Sequence, residues 1–123
     1  MSHLGAQLVA VSAGQVCVRV PYAPKLSQQH GYFHAGVSTA IADTAGGYAA
    51  QSVHPAGSDV LTVALTINLI APAHGAMLVA TGTVVRAGRT LTVCTLTVTV
   101  EGPQHCAEVA VGQQTICRIM PRP

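Results

Sequence analysis

Residues 30–48 read HGYFHAGVSTAIADTAGGY, and one acid sits inside that small, apolar run. The chain holds only four carboxylates, Asp43, Asp59, Glu101 and Glu108. An acid so isolated is either solvated surface or a reagent, because an ionised carboxylate can attack an electrophilic carbon or take a proton from water. His34 stands nine residues before Asp43, at the point where a helical pattern begins. There its ring can bond neighbouring backbone and shape the turn, which makes it a supporting residue rather than a base. His30 reads as a loop histidine near enough to contact a ligand. Tyr32 and Phe33 precede the helix and are candidates for the wall of a pocket.

Other chemistries find no residues to carry them. His and Cys spacing offers no zinc site, and neither a phosphate-cradling GxxxxGK nor a GxSxG elbow is present. Neither a metal nor a cofactor is expected. The six bases, Arg19, Lys25, Arg86, Arg89, Arg118 and Arg122, are scattered without a run, so nucleic acid is not an expected partner. Cys17, Cys94, Cys106 and Cys117 have no CxxC spacing and read as reduced, packed thiols. The start lacks a basic leader and no stretch is apolar enough to span a membrane, so a cytoplasmic protein is expected.

The elements that would position Asp43 follow from periodicity. Leu8 and Ala10, then Val16, Val18 and Val20 past SAGQ, suggest two short strands or one hairpin, and PYAPKLSQQ reads as a loop. From about His34 to Gln51 the period is helical. On a helical wheel Val37, Ile41, Thr44 and Tyr48 form one stripe that should meet a sheet, with Ala40 and Ala45 beside it. Asp43 falls about 120° away, on a side shared with Gly36, Gly47 and Ala50.

The segments LTVALTINLIAP, AMLVATGTVVRAG, RTLTVCTLTVTVEG and QHCAEVAVGQQTICRI then read as four half-buried antiparallel strands. One long helix and no second one implies a curved sheet wrapped around it. Half of the residues are hydrophobic and ten of 123 are charged, so the sheet's outer face needs another subunit. The whole chain, 1–123, fits one domain.

HGYFHAGVSTAIADTAGGYAA resembles the motif of the hot-dog-fold acyl-CoA thioesterases, in the PaaI-like (phenylacetate degradation) branch of the 4-hydroxybenzoyl-CoA thioesterase superfamily. In that branch an HGG-type turn opens the central helix and an acid follows nine residues after the His; here these are His34-Ala35-Gly36 and Asp43. The strands TVALTINLIAPA and GTVVRAGRTLTVCTLTV extend the likeness over roughly residues 26 to 115. It implies an α+β hot-dog fold and hydrolysis of an acyl- or aryl-acyl-CoA, CoA being part of the substrate rather than a cofactor. Asp43 would be nucleophile or general base, acting from the neighbouring subunit because helices pair across a dimer in the family, and a dimer of dimers is expected.

By the same resemblance the Ala35 N–H polarises the carbonyl, with Gly36 keeping the approach open, and helix N-termini suit that task physically. Gln28 stands where many relatives carry an orienting Asn, and Thr62 where they carry a water-positioning Ser or Thr. By pattern alone Thr62 is equally an ordinary strand threonine. Arg86 and Arg89 flank a turn, where they are either solvated or available to CoA phosphates. Two rival readings use the same pocket: a non-catalytic acyl-CoA binding module, and a hot-dog hydratase or dehydratase in which His34 and Asp43 move a proton.

Overall fold

Alternating apolar residues in QLVAVS and QVCVRVP form strands β1 (Gln7–Ser12) and β2 (Gln15–Pro21). They pair as a hairpin whose turn ends on Gly14, at φ 82°, a conformation that L side chains rarely adopt. The computed structural model describes residues 4–28, 31–103 and 105–119. After β2 a short 3-10 turn (Pro24–Leu26) leads into helix α1 (Ala35–Ser52). Four strands follow: β3 (Asp59–Leu69), β4 (Met77–Ala87), β5 (Leu91–Gly102) and β6 (His105–Ile119).

All six strands join one antiparallel sheet in the order β1-β2-β4-β5-β6-β3. The sheet curls around α1, which contacts every strand. This is the hot-dog arrangement, α+β with a single central helix. Val16, Val18 and Val20 of β2, Leu78 and Ala80 of β4, Leu96, Val98 and Val100 of β5 and Ile116 of β6 bury their side chains beneath it. Each large aliphatic side chain fully buried there is worth about 1.5–3 kcal/mol relative to exposure.

The helix buries part of the stripe its hydrophobicity suggests, Val37, Ile41 and flanking Ala45, but the buried side extends well past it. Ile41, Ala42, Ala45 and Ala49 are all fully buried, whereas Tyr48 is 50% exposed and Thr44 half-buried. Ala50, expected on the open side with Asp43, is fully buried as well. The buried face is therefore rotated by about a quarter turn from the expected stripe. Its cause is volume: a Cβ on Gly82 of β4 would lie 2.5 Å from the backbone N of Gly46, so helix and sheet touch backbone to backbone. A tyrosine ring cannot enter that gap, and Tyr48 instead lies at its rim beside Leu8 and Val18.

Three further expectations change. β3, read as half-buried, is an edge strand that leaves Leu61, Val63, Leu65 and Leu69 exposed on both faces. Cys106 is exposed rather than packed, and Cys17 and Cys117 are half-buried; only Cys94 lies wholly in the core. Pro21 closes β2 instead of opening a loop, which its place at a strand end permits.

Candidate active site

The approach to α1 is pinned on both sides. The Phe33 N–H donates to Ala73 O (2.8 Å), the His34 N–H donates to Leu26 O (2.8 Å), and Ser27 and Phe33 form an isolated bridge. These bonds hold His34 in an extended conformation (φ −64°, ψ 139°) as the residue that caps the helix. Its ring Nδ1 accepts the Gly36 N–H at 3.0 Å, and its carbonyl accepts the Val37 N–H at 2.9 Å.

The cap decides which donor remains. With the Gly36 and Val37 N–H groups engaged, the Ala35 N–H is the first-turn donor that has no partner among the described residues. Ala35 lines a cavity of about 600 Å³ together with His34, Ser38, Gln28, Tyr32 and Phe33 on one side and Leu69, Ile70, Pro72, Ala73 and Val109 on the other. Phe33 stacks edge-on against Tyr22 (5.3 Å between centroids) and Tyr32 edge-on against His74 (5.6 Å). Gln28 is held by its backbone, which donates to Tyr32 O at 2.8 Å and accepts the Gly31 N–H at 3.0 Å. The motif residues thus gather at one mouth: an unclaimed N–H at the positive end of a helix, opening on an apolar and aromatic cavity.

Asp43 belongs to a second cluster, farther along the helix. Its Oδ1 accepts hydrogen bonds from Thr62 Oγ1 at 2.8 Å and from Gln114 Nε2 at 2.5 Å. Gln114 Nε2 also lies 2.9 Å from Thr62 Oγ1 and 3.3 Å from the Asp43 carbonyl oxygen. Among the described residues nothing donates to Oδ2. Thr62 is aimed at Asp43 where the register of β3 shifts, between Thr62 and Ala64, so that Val63 bulges out.

Cys94, on the strand beside Gln114, sits under the same turn of helix with its Sγ 3.6 Å from Gly46 O. Burial pushes this thiol up to about 11, so it stays protonated at neutral pH and is no rival nucleophile.

Eight residues of helix separate Ala35 from Asp43, a rise of about 12 Å. No single carbonyl group can touch both within one chain. Arg86 and Arg89 are more distant still. β4 begins at Met77, near the cavity, and Arg86 lies nine residues on, about 30 Å along the strand. Both arginines lie toward the end of β4 away from the cavity, and neither lines it. His30 lies outside the described residues.

Gln114 is the functional candidate that sequence reasoning missed. At inward positions of β6 the chain reads Ala110, Gly112, Gln114 and Ile116, and a glutamine in that series was the available signal. Among the described residues no group of three or more His, Cys, Asp or Glu side chains could hold a metal ion, and no helix is long and apolar enough to cross a membrane.

The sequence model of the Thioesterase superfamily matches residues 30–107, which include the helix that carries both clusters, strands β3 to β5 and the start of β6. The chain belongs to the thioesterase superfamily. This superfamily member is 35% identical over 121 residues to a protein of Halobacterium salinarum named provisionally as an esterase, a match covering 92% of the chain and 80% of the relative. Among solved structures it superposes on a thioesterase family protein from Silicibacter pomeroyi with a TM-score of 0.96 and 36% identity, over 98% of this chain and 89% of that one. The PaaI protein of the E. coli phenylacetic acid degradation operon matches with a TM-score of 0.86 and 25% identity, over 97% of this chain and 83% of that one.

Proposed function

We propose that this thioesterase-superfamily chain hydrolyses acyl- or aryl-acyl-CoA thioesters, with Asp43 as nucleophile or general base. The observation that carries the proposal is the Ala35 N–H, left free by the His34 cap and facing an apolar cavity of about 600 Å³. A thioester carbonyl seated there meets a fixed donor where negative charge develops in the tetrahedral intermediate. Gly36 keeps the approach to that donor open and Gln28, at the cavity wall, orients the carbonyl. Tyr32, Phe33 and Leu69 enclose the acyl or aryl group, and His34 acts through its cap rather than as a base.

Asp43 then serves the site of a neighbouring subunit, because its own Ala35 is about 12 Å away along the helix. With Oδ1 occupied by Thr62 and Gln114, Oδ2 is the oxygen that attacks the carbonyl carbon or removes a proton from the attacking water. In the base route the water oxygen bonds the carbonyl carbon, the carbon–sulfur bond breaks, and the proton taken by Asp43 passes to the CoA thiolate. In the nucleophile route the same break leaves an acyl-Asp43 anhydride, which water opens to the free acid while its proton goes to the thiolate. Thr62 fixes the carboxylate and lies close enough to order that water.

A homodimer through paired helices, and two such dimers back to back, accounts for the small open side of α1 and the apolar surface of β3. Leu61, Val63 and Leu69 there are each more than half exposed in one chain. Arg86 and Arg89 do not line the cavity, so any contact they make with CoA phosphates lies outside it.

Release of free CoA thiol from acetyl-, medium-chain, long-chain, phenylacetyl- and hydroxybenzoyl-CoA, run beside Asp43→Asn, tests the proposal. Removing a catalytic base or nucleophile should lower kcat by about a hundredfold or more with the fold intact. An Asn variant as active as the parent overturns it. Binding of acyl-CoA without turnover in the parent would support a binding module instead.

A further inference from the structure

We propose that Gln114 is a positioning residue that fixes which oxygen of Asp43 reacts. This inference rests on the hydrolase reading above and adds to it a residue 71 positions away in sequence.

The amide of Gln114 is 1% exposed and its Nε2 reaches three oxygens: Asp43 Oδ1, Thr62 Oγ1 and the Asp43 carbonyl. Thr62 donates to the same Oδ1, so two donors converge on a single carboxylate oxygen. The orientation of the amide follows from charge: turned the other way, its carbonyl oxygen would face the carboxylate.

The arrangement costs the fold something that a structural role does not explain. Gln114 Oε1 is buried without a hydrogen-bond partner, and unpaired buried acceptors are destabilising. A Cβ on Gly46 would overlap that same oxygen, so the helix also gives up a side chain in mid-helix to admit the amide. A methionine or leucine in this apolar layer, between Leu96, Cys94 and Ile116, would fill the space and leave no polar atom orphaned. What only the glutamine supplies is a fixed donor on Asp43 Oδ1. A carboxylate with one oxygen clamped cannot rotate its charge away from the reacting carbon, and the effect on rate comes through Asp43 rather than through contact with substrate.

The test compares the parent with Gln114→Met and Gln114→Glu. Loss of one hydrogen bond to a charged acceptor predicts a kcat lower by about tenfold to a hundredfold in Gln114→Met, with KM nearly unchanged and the melting temperature equal or higher. Gln114→Glu, of the same shape but placing an acceptor against Oδ1, should be slower still. Crystal structures of the two proteins provide an arm independent of turnover: the Asp43 carboxylate holds one rotamer in the parent and more than one in Gln114→Met. A Gln114→Met enzyme with unaltered kcat and a single Asp43 rotamer overturns the inference, as does a rate that falls only in proportion to lost folded protein. If the parent hydrolyses no thioester at all, the hydrolase reading fails, and the rotamer comparison still decides whether Gln114 holds the carboxylate.

Discussion

Replacing Gly46 by alanine separates an argument from helix propensity from an argument from packing. Alanine is favoured over glycine by about 1 kcal/mol in a helix interior, so the substitution ought to stabilise α1. Here the added Cβ would overlap Gln114 Oε1, come within 2.8 Å of Leu96 Cδ2 and 3.0 Å of Gln114 Cδ. Forcing an extra carbon into a well-packed core costs about 1–3 kcal/mol, and moving the amide off Asp43 gives up a hydrogen bond to a charged group worth about 1.5–3 kcal/mol. After subtracting the gain in propensity, the net change is a loss of about 1.5–5 kcal/mol. Equilibrium urea unfolding of parent and Gly46→Ala at one protein concentration measures it as a lower midpoint at unchanged slope. An alanine variant at least as stable as the parent would show that helix and strand are not packed backbone to backbone, and the placement of Gln114 would go with it.

Thr62→Val removes one of two donors on Asp43 Oδ1 and should lower kcat about tenfold with little change in KM, read in the same thiol-release assay. Combined with Gln114→Met its effect should be less than additive, because the two donors share one acceptor. His34→Ala deletes the cap on Gly36 and should cost about 1 kcal/mol of stability, seen as a lower melting temperature. Iodoacetamide at pH 8 should alkylate exposed Cys106 and spare Cys94, whose thiol, pushed up to about 11 by burial, is about one part in a thousand thiolate at that pH. Peptide mass spectrometry reads the difference. Gly47→Leu puts bulk where one chain has nothing within 4 Å, and should shift the sedimentation profile toward smaller species if helices pair on that side.

The four long strands were legible because alternation sustained over ten or more residues matches the two-residue repeat of a strand and no helical period, and the helix spans Ala35–Ser52 against an expected His34–Gln51. Its buried face was legible only in part, in Val37, Ile41 and Ala45. Hydropathy points Tyr48 at the sheet, but the spacing set by Gly46 and Gly82 is a matter of volume, and small residues outrank apolar ones there. The exposure of Leu61 and Val63 escaped the strand pattern for a related reason, since alternation cannot tell an inner strand from an edge. The family motif put Thr62 and Asp43 among the site residues but did not join them; their hydrogen bond is seen only in the structure. Gln114 entered neither argument, because a contact across 71 residues leaves no local signature beyond a polar residue at an inward position.

The central claim is that the Ala35 N–H and the Asp43 carboxylate that act on one thioester belong to different subunits. Ala35→Pro removes only that N–H: proline is tolerated at the first helical position, and His34 already has the extended backbone that precedes a proline. Subunits carrying Ala35→Pro are mixed with subunits carrying Asp43→Asn, unfolded and refolded together, and assayed for thiol release. Each variant alone should keep no more than about a hundredth of the unsubstituted rate. In a mixed dimer one site holds both defects and the other holds neither, so random mixing should recover about a quarter of the normal rate. If both groups acted within one chain, every site in the mixture would carry a defect, and the absence of any recovery would contradict the account.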